Sequence, residues 1–290
     1  MRDCVLNSYD DFIFSKVMLN EKLAKHFLEV ILGCKIKSVS YPVCEHFINV
    51  RYDAKSVRLD VILEDDTHTI YNLEMQAAKK PGLVKRSRYY QDLIDLDLLQ
   101  KGAHYDRLNR SLVIFICTFD PFDEDYYIYR FRNVCQQIPT LELRDGTEKV
   151  FVNTKGYLGD VDKEFKQVMK IFNGLAAEGD FAEELQQEVD RIKASEEWRR
   201  EYMTLQILLD DTREEAREAG RAEGDWRRLT QQVCRKLQKD KSISEIADEL
   251  EETEETINRI VTIAKRYEPD YDVEAICKEL LSAKEETEGE

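Results

Sequence analysis

Three side chains in RLDVILEDDTHTIYNLEMQ, residues 58 to 76, have the types and spacing to act together: Asp60, Glu74 and Gln76. A two-armed strand pattern that turns back at Thr67, inside the polar stretch EDDTH, sets Asp60 opposite Glu74. In that register Arg58, Asp60, Ile62, Asn72, Glu74 and Gln76 share one face, and Leu59, Val61, Leu63, Tyr71, Leu73 and Met75 share the other. Two carboxylates directly opposed in a sheet repel by some tenths of a kcal/mol to about 1 kcal/mol. A divalent cation between them removes that cost, and Mg²⁺ favours one or two carboxylates with water and phosphate oxygens. Such a centre suits phosphodiester hydrolysis. The plain alternative is a half-exposed hairpin whose polar face is solvated.

The elements around this stretch must position it. Asp10 or Asp11 can cap a helix running to about Leu32, with Phe14, Val17, Met18, Leu23, Phe27, Val30 and Ile31 at helical spacing and Gly33 as its stop. The run KIKSVSYPVCEHFINV predicts one strand, limited by Pro42. After the hairpin, residues 82 to 100 read as a helix, and SLVIFICTF at 111–119 reads as a strand covered on both faces. YIYRF, KVFVNT and the amphipathic DKEFKQVMKIFNGL complete the pattern by about residue 175. The order predicts an α/β fold, a small mixed sheet flanked by helices.

Beyond residue 181 the apolar positions Phe181, Leu185, Val189, Ile192, Tyr202, Leu205 and Leu209 recur at intervals of three and four amid dense charge, which predicts a long helix. Gly220 and Gly224 fall in a charge-alternating stretch that reads as a solvated connecting helix or hinge. A last unit has Leu229, Val233 and Leu237 on one helix, then short helices capped by Ser242 or Ser244 and by Thr253, the pattern of a helix-turn-helix. The expected division is 1–178, a charged helical linker or coiled coil over 179–228, and a small helical unit with an acidic tail over 229–290.

The net charge of −16 is unevenly placed: residues 181–290 hold 18 Lys+Arg against 31 Asp+Glu. No generic basic surface follows from these totals, so a nucleic-acid ligand would need a local one. ELEETEE at the turn of the last unit opposes phosphate there, which favours a protein-packing unit. Seven dispersed cysteines without a C-x-x-C pair read as reduced thiols, and the first residues lack a signal-like apolar run, so a cytoplasmic protein without a membrane span is expected.

Asp60 followed after a strand and turn by Glu74-x-Gln76 resembles the Asp…(Asp/Glu)-x-Lys motif of the PD-(D/E)XK nucleases, with Gln in place of Lys. More narrowly, DDFIFSKV, RLDVILED, YNLEMQ, KRSRYYQDLI, SLVIFICTFDPF and FVNTKG, spanning about residues 8 to 175, are similar to the PD-(D/E)XK nuclease family transposases, relatives of the bacterial recombination-promoting nucleases. The resemblance implies a restriction-endonuclease-like core and a Mg²⁺-dependent DNA endonuclease, with Mn²⁺ or Ca²⁺ as alternative ions. Asp60, Glu74 and the Met75 carbonyl would be metal ligands, with Gln76 completing the catalytic set.

A glutamine can orient water by hydrogen bonding but carries no charge. Lys79, Lys80 and Arg86 are the cations that could replace the missing lysine. Arg86 and Tyr90, four residues apart on one helical face, match Arg and Tyr positions of the family and are expected to face phosphate and frame the site. Asp11 matches the family's N-terminal Asp-x-x-Phe and is an accessory candidate, although capping a helix is the favoured explanation of it. A second reading, from a different class, is a catalytically degenerate domain that binds DNA or protein, with the C-terminal helices as a homo-oligomerisation device.

Overall fold

A computed structural model describes residues 11–41, 60–99 and 102–288. The expected features at Asp10, Arg58, Leu59 and 42–50 lie outside the described residues. Two compact units divide the chain, Met1–Tyr202 and Met203–Glu290.

The first unit begins with α1 (Asp11–Val17) and α2 (Glu21–Leu32). One continuous helix was expected here, and the structure breaks it at Asn20, whose side-chain oxygen accepts from the N–H groups of Lys22 and Leu23. An asparagine satisfies two orphan donors better as a cap than as an interior helical residue, so it restarts the helix. Gly33 stops α2 as expected, at φ 68°, with its N–H on the Glu29 carbonyl.

There follow β1 (Val39–Ser40), β2 (Val61–Asp65), β3 (Ile70–Gln76), α3 (Leu83–Leu98), β4 (Ser111–Cys117), β5 (Ile128–Phe131), β6 (Thr147–Asn153), α4 (Lys163–Phe172) and α5 (Asp180–Ala194). The six strands make one mixed sheet in the order β1-β2-β3-β4-β6-β5. β3, β4 and β6 run parallel and the other pairs are antiparallel. The hairpin register is the expected one: Val61 pairs with Leu73, Ile62 with Asn72 and Leu63 with Tyr71.

Burial separates the outcome from the half-exposed hairpin. β3 is third of six strands, and on its polar face Asn72 and Glu74 are as buried as its apolar residues, with Gln76 half-buried at the end. α3 covers that face: Tyr90, Leu93 and Ile94 pack with Ile70, Val113, Phe115, Cys117 and Phe151. Tyr90, Phe115 and Phe151 form a stack, with centroids 6.0 and 5.3 Å apart. The other sheet face carries Leu63, Leu73, Ile114, Ile116, Val150 and Val152, all buried. α1 lies on β3 and α5 there, and the rings of Phe14, Phe27 and Phe172 pack at steep angles to one another between α1, α2 and α4.

Tyr202, near the start of α6 (Glu196–Leu237), is buried against Phe12. The rest of α6 belongs to the second unit, with α7 (Ile243–Leu250), α8 (Glu254–Ala264) and α9 (Val273–Glu288). Ser242 and Glu245 form a capping box on α7, and Thr253 accepts from the Thr256 N–H at the start of α8. Val233, Ile246, Ile257, Ile260, Val261 and Ile276 are among the core of this unit. Among the described residues no helix is long and apolar enough to cross a membrane.

Candidate active site

Asp60 sits in a bend immediately before β2, so its backbone is outside the strand ladder. Its N–H donates instead to Glu74 Oε1 (3.1 Å), and its Oδ2 accepts from the Met75 N–H (3.1 Å). The two expected partners are therefore held together by reciprocal bonds, each from a main-chain N–H to the other arm's carboxylate. Asn72, two residues before Glu74 on the same face, adds a bond from Nδ2 to Glu74 Oε1 (3.2 Å).

Glu74 is 2% exposed. Burial pushes its carboxyl up to about 8, and the negative charge of Asp60 acts in the same direction. The Asp60 N–H, the Asn72 amide and the Arg86 guanidinium pull the other way without cancelling the rise. A buried carboxyl beside a second carboxylate is a site where a cation is favoured, because it replaces lost solvation and offsets repulsion together.

Arg86 and Tyr90 come from the first two turns of α3 and reach the same place. Tyr90 is buried close enough to Glu74 to feel its charge, and burial together with Glu74 raises its pKa. The Arg86 guanidinium carbon lies 5.4 Å from the centroids of both Tyr90 and Phe115, on top of the aromatic stack. Its Nε and Nη2 are buried and have no hydrogen-bond partner among the described residues. Buried guanidinium donors left unpaired are costly, and an anion's oxygens would satisfy them.

Gln76 ends β3 with its Nε2 donating to the Met75 carbonyl (2.6 Å). N–H and C=O of one strand residue point the same way, so a Met75 N–H on Asp60 turns that carbonyl to the Asp60 side. Gln76 thus caps the atom expected as third metal ligand. Lys79 is engaged elsewhere, with its ammonium 2.9 Å from both Asp123 oxygens, and Lys80 is exposed. Asp11 is an exposed first-turn residue of α1, one position inside the helix, where its charge favours the helix start.

Among the described residues no three His, Cys, Asp or Glu side chains converge as a metal cluster. The fit to a divalent ion rests on oxygen donors alone: two carboxylates, a main-chain carbonyl and the orphaned Asn72 Oδ1, which is buried with no partner among the described residues. That donor set suits Mg²⁺, which retains several waters and needs few protein oxygens. Asn72 was legible as a residue of the polar face, and its period-two spacing from Glu74 was the available signal. Asp123, which holds Lys79, lies 44 positions away and gave none.

Compared with known proteins, residues 9–223 match the family described as PD-(D/E)XK nuclease family transposase. No curated protein and no solved structure matches.

Proposed function

The chain belongs to the PD-(D/E)XK nuclease family transposases, and from that premise we propose that it is a metal-dependent DNA endonuclease acting in recombination. The observation that supports this best is the meeting of Asp60 and Glu74 under the unpaired donors of Arg86. Asp60, Glu74 and the Met75 carbonyl would hold Mg²⁺, with Mn²⁺ as a substitute. The ion's contribution when bound is a hydroxide-like water at neutral pH and neutralisation of phosphate charge.

The chain's own groups do the remaining work. The Asn72 amide and the Asp60 N–H orient the Glu74 carboxylate by hydrogen bonds, so the charged form is aimed before substrate arrives. Arg86 offers Nε and Nη2 to oxygens of the scissile phosphate and stabilises the charge that grows there. It supplies the positive charge that Gln76 lacks, and Gln76 orients water or ligand through its amide.

Plasmid DNA incubated with purified protein tests this: nicking or cutting with Mg²⁺ and none with EDTA is expected. Asp60→Ala and Glu74→Ala should abolish cutting while the far-ultraviolet circular dichroism of the fold persists. Cutting that survives Asp60→Ala sinks the assignment. The bond from Gln76 to the Met75 carbonyl favours a second reading, a nuclease-fold domain that binds DNA without cutting it. DNA retained in Mg²⁺, Mn²⁺ and Ca²⁺ alike without a cut would support that reading.

A further inference from the structure

Between Ala77 and Gln91 the chain places Lys79, Lys80, Lys85, Arg86 and Arg88 and no carboxylate, in a protein whose net charge is −16. Lys79 is paired with Asp123, and Arg86 turns inward over Tyr90. Lys80, Lys85 and Arg88 are exposed and make no hydrogen bond or ion pair among the described residues.

The helical period sorts the start of α3 into two sides. Ser87, Tyr90, Gln91 and Ile94 are buried on the sheet. Val84, Lys85, Arg88 and Tyr89 form the opposite, outward side, with Val84 57% and Tyr89 36% exposed. Lys85 and Arg88 stand three apart with like charge, a spacing that costs a few tenths of a kcal/mol in an isolated helix. A polyanion turns that cost into a gain. The unpaired Nε and Nη2 of Arg86, on the inward side of the same two turns, independently call for an anion at this end of α3.

We infer that the outward side of the first two turns of α3, with Lys80 leading into it, is the surface on which the DNA backbone docks. It holds one strand of a duplex so that a phosphate reaches Arg86. The inference rests on the nuclease reading for the identity of the polyanion. A helix is about 10–12 Å across, and one strand carries a phosphate about every 3.4 Å of duplex axis. Contacts on the two sides of α3 therefore fall within a few nucleotides of each other. Lysine, arginine and the Tyr89 hydroxyl bind phosphate oxygens, and Val84 can lie against sugar; docking on this surface is independent of base sequence.

Fluorescence anisotropy tests the surface, using the full chain, labelled duplexes of unrelated sequence, and Ca²⁺ in place of Mg²⁺, over a range of salt. For each of Lys80→Gln, Lys85→Gln and Arg88→Gln, the slope of log K against log salt should fall by about 0.9, equally on all duplexes. Unchanged melting temperatures would show that the fold is intact, as expected for exposed positions. A triple variant that keeps the wild-type slope, or whose loss of affinity is confined to one sequence, overturns the docking surface. Wild-type protein that binds no duplex also overturns it. A protein that binds with the expected slopes yet cuts in neither Mg²⁺ nor Mn²⁺ keeps the surface and loses the nuclease reading. A triple variant that cuts at the wild-type rate at moderate salt does the reverse.

Discussion

Burial and the neighbouring Asp60 charge disfavour the ionised form of Glu74 in the folded protein. Its carboxyl is held near 8 against an ordinary 4.5, so between those values the folded state keeps a proton that the unfolded chain has released. Stability of the metal-free protein therefore falls as pH rises through that window. Thermal melts from pH 5 to pH 9 in EDTA should show the decline, and Glu74→Gln should flatten it. On the proposed ligand set Mg²⁺ would displace the proton, so its stabilising effect should grow with pH over the same range. A Mg²⁺ effect independent of pH would remove Glu74 from the ligand set. Arg86→Ala should slow cutting by roughly 10²–10³-fold, the scale for loss of a preorganised donor. Because Gln76 adjoins the same pocket, Gln76→Lys should recover part of that loss, read as the nicking rate of the double variant against Arg86→Ala. The pairing of Asp60 with Glu74 was legible because a turn at Thr67 and alternating polarity leave one register that puts the apolar residues together. The bond from Gln76 to Met75 was not, since a glutamine side chain has several local partners of similar energy and only packing selects among them.

At the scale of elements, the site depends on α3 lying across β3 and β4. The stack of Tyr90, Phe115 and Phe151 sets the distance between helix and sheet, and Arg86 rests on its top. Phe115→Ala should lower stability by about 3–5 kcal/mol, read by denaturant unfolding, and should weaken cutting further by letting Arg86 sink. Gly156 is a second fixed point. A Cβ there would lie 2.7 Å from Tyr126 and Tyr127 backbone atoms, so Gly156→Ala should lower the melting temperature by several degrees. Alternation in the hairpin showed which residues share a face, and helical spacing placed α3. Neither reveals what covers a face. Parallel pairing to β4 joins segments some 40 residues apart, and that pairing made Asn72 and Glu74 interior. The break between α1 and α2 was missed for a related reason: apolar spacing runs through Asn20, and the cap that interrupts it is a hydrogen-bond effect.

For the whole molecule, acidity and DNA chemistry are reconciled by segregation. The excess of carboxylates lies in residues 181–290, while the start of α3 is locally cationic. Each unit has its own buried core, and the stretch of α6 from Met203 to Asp225 is largely exposed, with Met203, Ile207 and Leu208 each more than half accessible. Brief proteolysis should cut first inside that stretch and leave two fragments that keep their protection, identifiable by mass. Simultaneous loss of both fragments would argue against independent cores. The capping residues Ser242 and Thr253 made α7 and α8 legible. α9 was hidden because Ile276, Cys277 and Leu280 are too few, among acidic neighbours, to mark a helix before their core partners are known.

Glu74 occupies the middle of the sheet, where a neutral amide of the same size would accept the same two hydrogen bonds without desolvating a charge. In the laboratory that difference is useful. Glu74→Gln, which keeps an acceptor for the Asp60 N–H and the Asn72 amide, should give a sturdier, inactive protein that still presents the cationic side of α3, a form suited to capturing the uncut complex.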